Sequence, residues 1–123
     1  MRILVVEPMC VPYEKEIIPS LAEMQAVIGG TIQAIYPFKE PIALICNDEA
    51  KLLGLPLNRA LYDGNGRIYD VIAGTFFLCE APVDSSSFAS LNDMEIQQFK
   101  HRFRHPELFV RVGSHVVAIR AKE

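Results

Sequence analysis

Asn65-Gly66 constrains this chain more than any other pair of residues. Asn-Gly flanked by apolar runs is the strongest short-range hairpin signal, because both residue types tolerate the positive φ that tight hairpins need. It lies inside residues 45–77, which also hold two strand-like apolar runs and two further turn signals. Cys46-Asn47-Asp48 ends one apolar run. Leu55-Pro56-Leu57-Asn58 reads as an extended turn, since Pro56 pushes Leu55 out of helical space.

The rest of the chain alternates strand and helix signals around that span. Residues 3–6 are a β-branched run bounded by Pro8 and read as a buried strand. Residues 12–18, with Tyr13, Lys15 and Ile17 alternating against Glu14 and Glu16, predict a half-exposed strand joined through a hairpin at 7–11. Ser20 with Glu23 three residues on fits a capping box, and Leu21, Met24, Gln25 and Ile28 carry a helix over 20–29 that stops at Gly29-Gly30. Residues 31–36 return to a strand, a hairpin crosses 38–41, and 42–46 form a continuous apolar strand. One helical turn is expected at 49–53, stopped by Gly54, and another turn or a short helix at 57–61. Residues 68–72 lead through Gly74 into 75–80, read as a central strand.

Residues 81–89 are linker-like, with the run PVDSSS at 82–87. Beyond them Ser90 and Asp93 repeat the capping signature, and Ile96, Phe99 and Phe103 give an apolar face to a second helix over 90–104, closed by Pro106. Residues 108–119 read as two short strands around a type II′ turn at Gly113-Ser114. The expected fold is therefore one α+β domain over 1–123. It has a mainly antiparallel, twisted sheet of five to seven strands and two helices. Short connections disfavour parallel crossovers.

Composition narrows the class. With 123 residues, half of them hydrophobic, the chain can bury a core without staples. A net charge of −3 gives no general attraction to nucleic acid or anionic membrane. The longest apolar runs fall short of a bilayer span, and Glu7 and Pro8 interrupt the first of them too early for a signal peptide. Three cysteines without paired spacing suit a reducing cytoplasm.

No segment carries a catalytic signature. His101 and His105 are four apart on the second helix, yet Arg102 stands where the zincin pattern requires glutamate. The run Lys100 to His105 reads as a basic helix end suited to the macrodipole, with Phe103 in the core rather than serving as a stacking platform. Asp63-Gly64-Asn65-Gly66 opens like a calcium loop, but Arg67 and Gly74 occupy ligand positions. Cys46 and Cys79 end apolar strands without a basic neighbour in sequence and read as inert thiols. Gly29-Gly30 follows a helix instead of opening one. No metal and no cofactor are expected. The remaining polar set is Asn47, Asp48, Lys51, Asn58 and Arg59. Asn47 and Asp48 read first as side-chain turns. If 49–61 folds back over the sheet, the five would offer donors to a phosphate or carboxylate at one mouth.

Several of these segments together carry a resemblance. The succession 21–30 (LAEMQAVIGG), 32–35 (IQAI), Cys46-Asn47-Asp48-Glu49, Lys51 to Pro56, Asn58-Arg59-Ala60 and Asp70 to Phe76 resembles an uncharacterised domain family. That family is found mainly in bacteriophages and in plasmids and integrative conjugative elements of Gram-positive bacteria. The resemblance covers residues 1 to about 80, with 90–123 as an extension. Where the family commonly has Asn-Glu-x-Gly-Lys, this chain has Asn47-Asp48-Glu49-Ala50-Lys51, with alanine in place of glycine. The resemblance implies an accessory protein of a mobile element. Together with the missing catalytic constellation it leads to the expectation of a non-catalytic protein that binds a host or element-encoded protein, with homodimerisation through an exposed sheet edge left open. The alternative is capture of a small anionic ligand, a nucleotide or phosphorylated metabolite, by the 47–59 cluster.

Overall fold

Side-chain alternation along three apolar strands decides the layering. The computed structural model describes residues 1–120. Its elements in chain order are β1 (Arg2–Val6), β2 (Tyr13–Glu16), α1 (Leu21–Ile28), β3 (Ile32–Ile35), β4 (Ile42–Asn47), β5 (Leu57–Tyr62), β6 (Ile68–Ala73), β7 (Phe76–Glu80), α2 (Asp93–Arg102), β8 (Glu107–Val112) and β9 (His115–Arg120). A five-stranded sheet has the order β2-β1-β7-β4-β3, and β5-β6 and β8-β9 are separate two-stranded ribbons. All these pairings are antiparallel. The α+β expectation holds, and β7 is the central strand.

Because strand side chains alternate faces, β1, β4 and β7 build two cores. Leu4, Val6, Ile42, Leu44, Phe76 and Leu78 meet Ile96, Phe99 and Phe103 of the α2 region and Leu61 and Ile72 of the β5–β6 ribbon. Ile3, Val5, Ala43, Ile45, Phe77 and Cys79 meet Ile28 of α1, with Met24 and Val27 packed against them. Three layers result: α1, the sheet, and α2 together with the ribbon.

Local signals mostly act as read. Ser20 accepts from the Glu23 N–H at 3.2 Å, and Gly29 caps α1 in the left-handed region at φ 81°. Gly113 has φ 63° and a two-residue turn joins Val112 to His115, as a type II′ hairpin requires. The Asn65-Gly66 hairpin also forms, but as a wider loop. Asp63 N–H donates to Arg67 C=O, Gly66 N–H donates to Asp63 C=O, and only Gly66 has positive φ, the pattern of a type I turn closed by a glycine bulge.

Three expectations are corrected. Residues 57–61 are strand β5, neither a turn nor a short helix. The pattern was hidden because a register shift at Leu57/Arg59 buries Asn58 and Arg59 in succession, so two polar residues sit where alternation would place one. The α2 cap is Asn92 rather than Ser90. Asn92 accepts from Glu95 N–H at 2.8 Å and its own N–H donates to Glu95 at 2.9 Å, a complete capping box. Ser90 instead accepts from Arg2 N–H at 3.0 Å. β2 is exposed along its whole length rather than on one face. Its charged residues suit a sheet edge, where they discourage pairing with another chain. Arg2 ties that edge to α2 through Glu14 and, at 2.6 Å, Asp93.

Asn92→Ala is expected to lower the unfolding free energy by about 1 kcal/mol, and Ser90→Ala by less, in urea titrations. Glu80 and Glu95 face each other, and the contact with Glu95 followed by desolvation raises the Glu80 pKa. A carboxyl whose folded pKa is raised stabilises the fold when protonated and loses that contribution as pH rises through the folded pKa. Glu80→Gln should therefore melt higher than wild type at pH 7, with the gap closing toward pH 4.

Candidate functional site

The five polar residues singled out in sequence do not share one mouth. Asn47 is buried and its Oδ1 accepts from Glu49 N–H at 2.8 Å, the side-chain turn expected of a strand-ending asparagine. Its amide lies against Gly30, where an added Cβ would meet Nδ2 at 2.8 Å and force that side chain to shift. Asp48 accepts from the Thr31 hydroxyl. Lys51 is exposed and pairs with Asp70 at 3.1 Å. These three, with Cys46 and Asp70, line a small cavity of about 150 Å³. Two carboxylates face one ammonium there, which does not favour an anion. Ala50 is buried with ordinary backbone φ, so that position has no need of a glycine.

Asn58 and Arg59 belong elsewhere. Asn58 is fully buried; its Nδ2 donates to Val6 C=O at 2.8 Å and Gly74 C=O at 2.9 Å. Its Oδ1 accepts from Arg59 Nη1 at 2.8 Å. The remaining donors of Arg59 end on backbone: Nε and Nη2 on Phe103 C=O at 3.2 and 3.1 Å, and Nη2 on Cys10 C=O at 2.6 Å. Nη1 also reaches Asn58 C=O at 3.4 Å. Desolvation lowers the Arg59 pKa, opposed chiefly by the field of Glu107. Every N–H of the guanidinium has a partner, so Arg59 organises its surroundings and has no donor left for a ligand.

Those surroundings form a cleft. It has a volume of about 140 Å³ and lies between the β5–β6 ribbon, the 37–38 segment, the end of α2, and the β8–β9 ribbon. Arg102 and Arg120 stand at its walls, each over an aromatic ring: Arg102 4.7 Å from the Phe38 centroid and Arg120 5.7 Å from that of Tyr62. Both are exposed, and neither has a carboxylate within 4 Å among the described residues. Glu107 is buried beneath them, accepting from Ala60 N–H at 3.1 Å and the Tyr62 hydroxyl at 2.7 Å. Desolvation first, and the Glu107 contact second, raise the Tyr62 pKa, so the phenol stays protonated as a donor. His105 also lines the cleft, and its Nδ1 is buried without a hydrogen-bond partner among the described residues. Three guanidiniums against one carboxylate make this a positive site in an acidic chain.

Sequence reasoning touched this cleft only at Arg59 and in the Lys100 to His105 run. Phe38, Tyr62, Tyr69, Arg102 and Arg120 come from five separate stretches, and no spacing links them. The other sequence candidates resolve simply. Cys10, Cys46 and Cys79 are free thiols. Burial raises the Cys46 pKa and pushes Cys79 up to about 12, which keeps both protonated and poorly nucleophilic. His101 lies 3.0 Å from Arg104 Nη1. Among the described residues no three His, Cys, Asp or Glu side chains gather as a metal site, and no helix is long and apolar enough to cross a membrane.

Of the protein families compared with the chain, one described as a domain of unknown function (DUF3846) matches residues 1–104. The match runs through α2, further than the eighty residues of the sequence resemblance, and stops before β8. No curated protein and no solved structure matches the chain.

Arg59→Met would leave the Phe103 and Cys10 carbonyls without their donor. A loss of about 3–5 kcal/mol in denaturant titrations is expected. Arg59→Lys should recover only part of it, since an ammonium cannot reach all these acceptors.

Proposed function

This chain belongs to the DUF3846 family, a domain of unknown function, and on that premise we propose that it is a non-catalytic binding protein of a phage or other mobile element. Its cleft at Arg102 and Arg120 captures a small anionic ligand. The observation that carries this reading is the pair of guanidiniums that line one cleft with no carboxylate within 4 Å among the described residues. A planar guanidinium can meet a phosphate or carboxylate with two parallel hydrogen bonds. This reading sets the anion site in the cleft rather than at 47–59, because Lys51 is already paired with Asp70 and the Arg59 donors are occupied. The mobile-element role rests on the sequence resemblance. The cytoplasm is the compartment that suits three unpaired thiols.

Thermal-shift titrations with inorganic phosphate, pyrophosphate and citrate test the cleft, since a ligand that binds only the folded state raises the melting temperature. One charge-assisted contact contributes about 1.5–3 kcal/mol, so Arg102→Gln or Arg120→Gln should weaken binding roughly tenfold or more. Wild-type protein that responds to none of these anions or their organic esters removes the reading.

The bare face of the β8–β9 ribbon favours a second, protein-level role. Leu108, Val110, Val112, Val117 and Ile119 share that face by register, each at least 43% exposed, and only His115 interrupts it. A lone two-stranded ribbon is marginal in water, so an apolar face of this kind gains from being covered. With no carboxylate, ammonium or guanidinium on it, the face needs no charge partner and matches itself, which points to a second copy stacked about a two-fold axis. Light scattering on wild type and on the double variant Val110→Lys, Val117→Lys decides the matter. A dimer that becomes monomeric in the variant is expected; a monomeric wild type leaves the face to a host or element-encoded partner.

A further inference from the structure

Taking the anion reading of the cleft as its premise, we infer that the ligand is a mononucleotide, held by its phosphate at the arginine end and by its base on Tyr69. The cleft does not stop at the arginines. A second hollow of about 450 Å³ shares Phe38, Tyr62, Tyr69 and Arg102 with it and continues toward Lys39, Glu40, Asp63 and Gly64. The two hollows form one trough, of a size that suits a small organic ligand rather than a bare ion.

The chemistry along the trough is not uniform. Arg120 stands at one end and Arg102 borders both hollows, and both guanidiniums suit an oxyanion. At the other end stand Lys39, Glu40 and Asp63. The Glu40 carboxylate is held by its own backbone N–H and by Gln98 Nε2, whereas Asp63 Oδ1 accepts from the Asn65 and Arg67 N–H groups and leaves Asp63 Oδ2 to accept from an amino or hydroxyl group. An inorganic anion has no use for that second end, and a phosphorylated sugar has no use for what lies between.

Between the two ends the wall is aromatic. Phe38 and Tyr62 each carry an arginine on one face, so their rings fix the guanidiniums in place. Tyr69 is different. It projects from β6, is 53% exposed, lines both hollows, and has no arginine stacked on it among the described residues. An exposed aromatic face in a trough is a platform for a flat heterocycle, because every nucleobase can stack on it. Guanidinium donors, a stacking face and a carboxylate acceptor along one trough match phosphate, base and exocyclic amine of one nucleotide.

The test is isothermal titration of the full chain with the four ribonucleoside 5′-monophosphates, ribose 5-phosphate and inorganic phosphate. At least one nucleotide should bind tenfold or more tightly than ribose 5-phosphate. Tyr69→Ala should erase that advantage while Tyr69→Phe keeps it, and neither change should alter the affinity for ribose 5-phosphate. Equal binding of ribose 5-phosphate and every nucleotide, or a Tyr69→Ala variant that binds nucleotide as wild type does, overturns the inference and leaves the anion cleft standing. Affinity that climbs with oligonucleotide length overturns it in favour of a strand. Absence of binding by every anion overturns the inference together with its premise.

Discussion

One buried cation holds the cleft end of this molecule together. Arg59 is 1% exposed, and removing a guanidinium from water is strongly unfavourable unless its donors are satisfied. Here they are, by Asn58 Oδ1 and by the Phe103, Cys10 and Asn58 carbonyls, with Glu107 supplying the opposing charge. Those acceptors lie on the end of α2, the loop between β1 and β2, and β5. Asn58 extends the network to the end of β1 and to Gly74, whose φ of 75° makes the sharp turn from β6 into β7. Two walls of the cleft, β5 and the end of α2, are thus tied to this pair of side chains.

The same arrangement explains how an acidic protein builds a positive cleft. Glu107 is drawn inward by the Ala60 amide, the Tyr62 phenol and the field of Arg59, and lies under the floor instead of neutralising the surface. The acidic residues of β2 and the start of α2 are likewise engaged, with Arg2, Lys100 and the N-terminus. Arg102 and Arg120 are left facing the trough, propped on rings that bury part of each guanidinium. Because both are exposed, their attraction for an anion is screened by salt, so geometry matters more than net charge.

Residue patterns determined a good deal. Alternation and β-branching in 3–6, 42–46 and 75–80 were enough for the sheet, since those strands are buried on both faces and read as continuous apolar runs. Ser20 with Gly29, and Ile96 with Phe99 and Phe103, placed both helices because capping and a 3.6-residue period are local physics. Gly113-Ser114 and Asn65-Gly66 marked their hairpins for the same reason, while the exact loop around Asn65 depended on how β5 and β6 pair.

Tertiary structure decided the rest. β5 was unreadable because Asn58 and Arg59 look like solvent-facing residues until Val6, Gly74, Cys10 and Phe103 supply buried acceptors from far along the chain. The cap of α2 fell to Asn92 over Ser90 because the sheet draws Ser90 to the Arg2 amide. The cleft was invisible for the deepest reason: Phe38, Tyr62, Tyr69, Arg102 and Arg120 are neighbours only after two ribbons, the loop between β3 and β4, and a helix meet. A sequence records which side chains can hold an anion or stack on a ring. Which of them end within reach of one another is settled by packing, and here that packing depends on a single arginine that the sequence suggested was free.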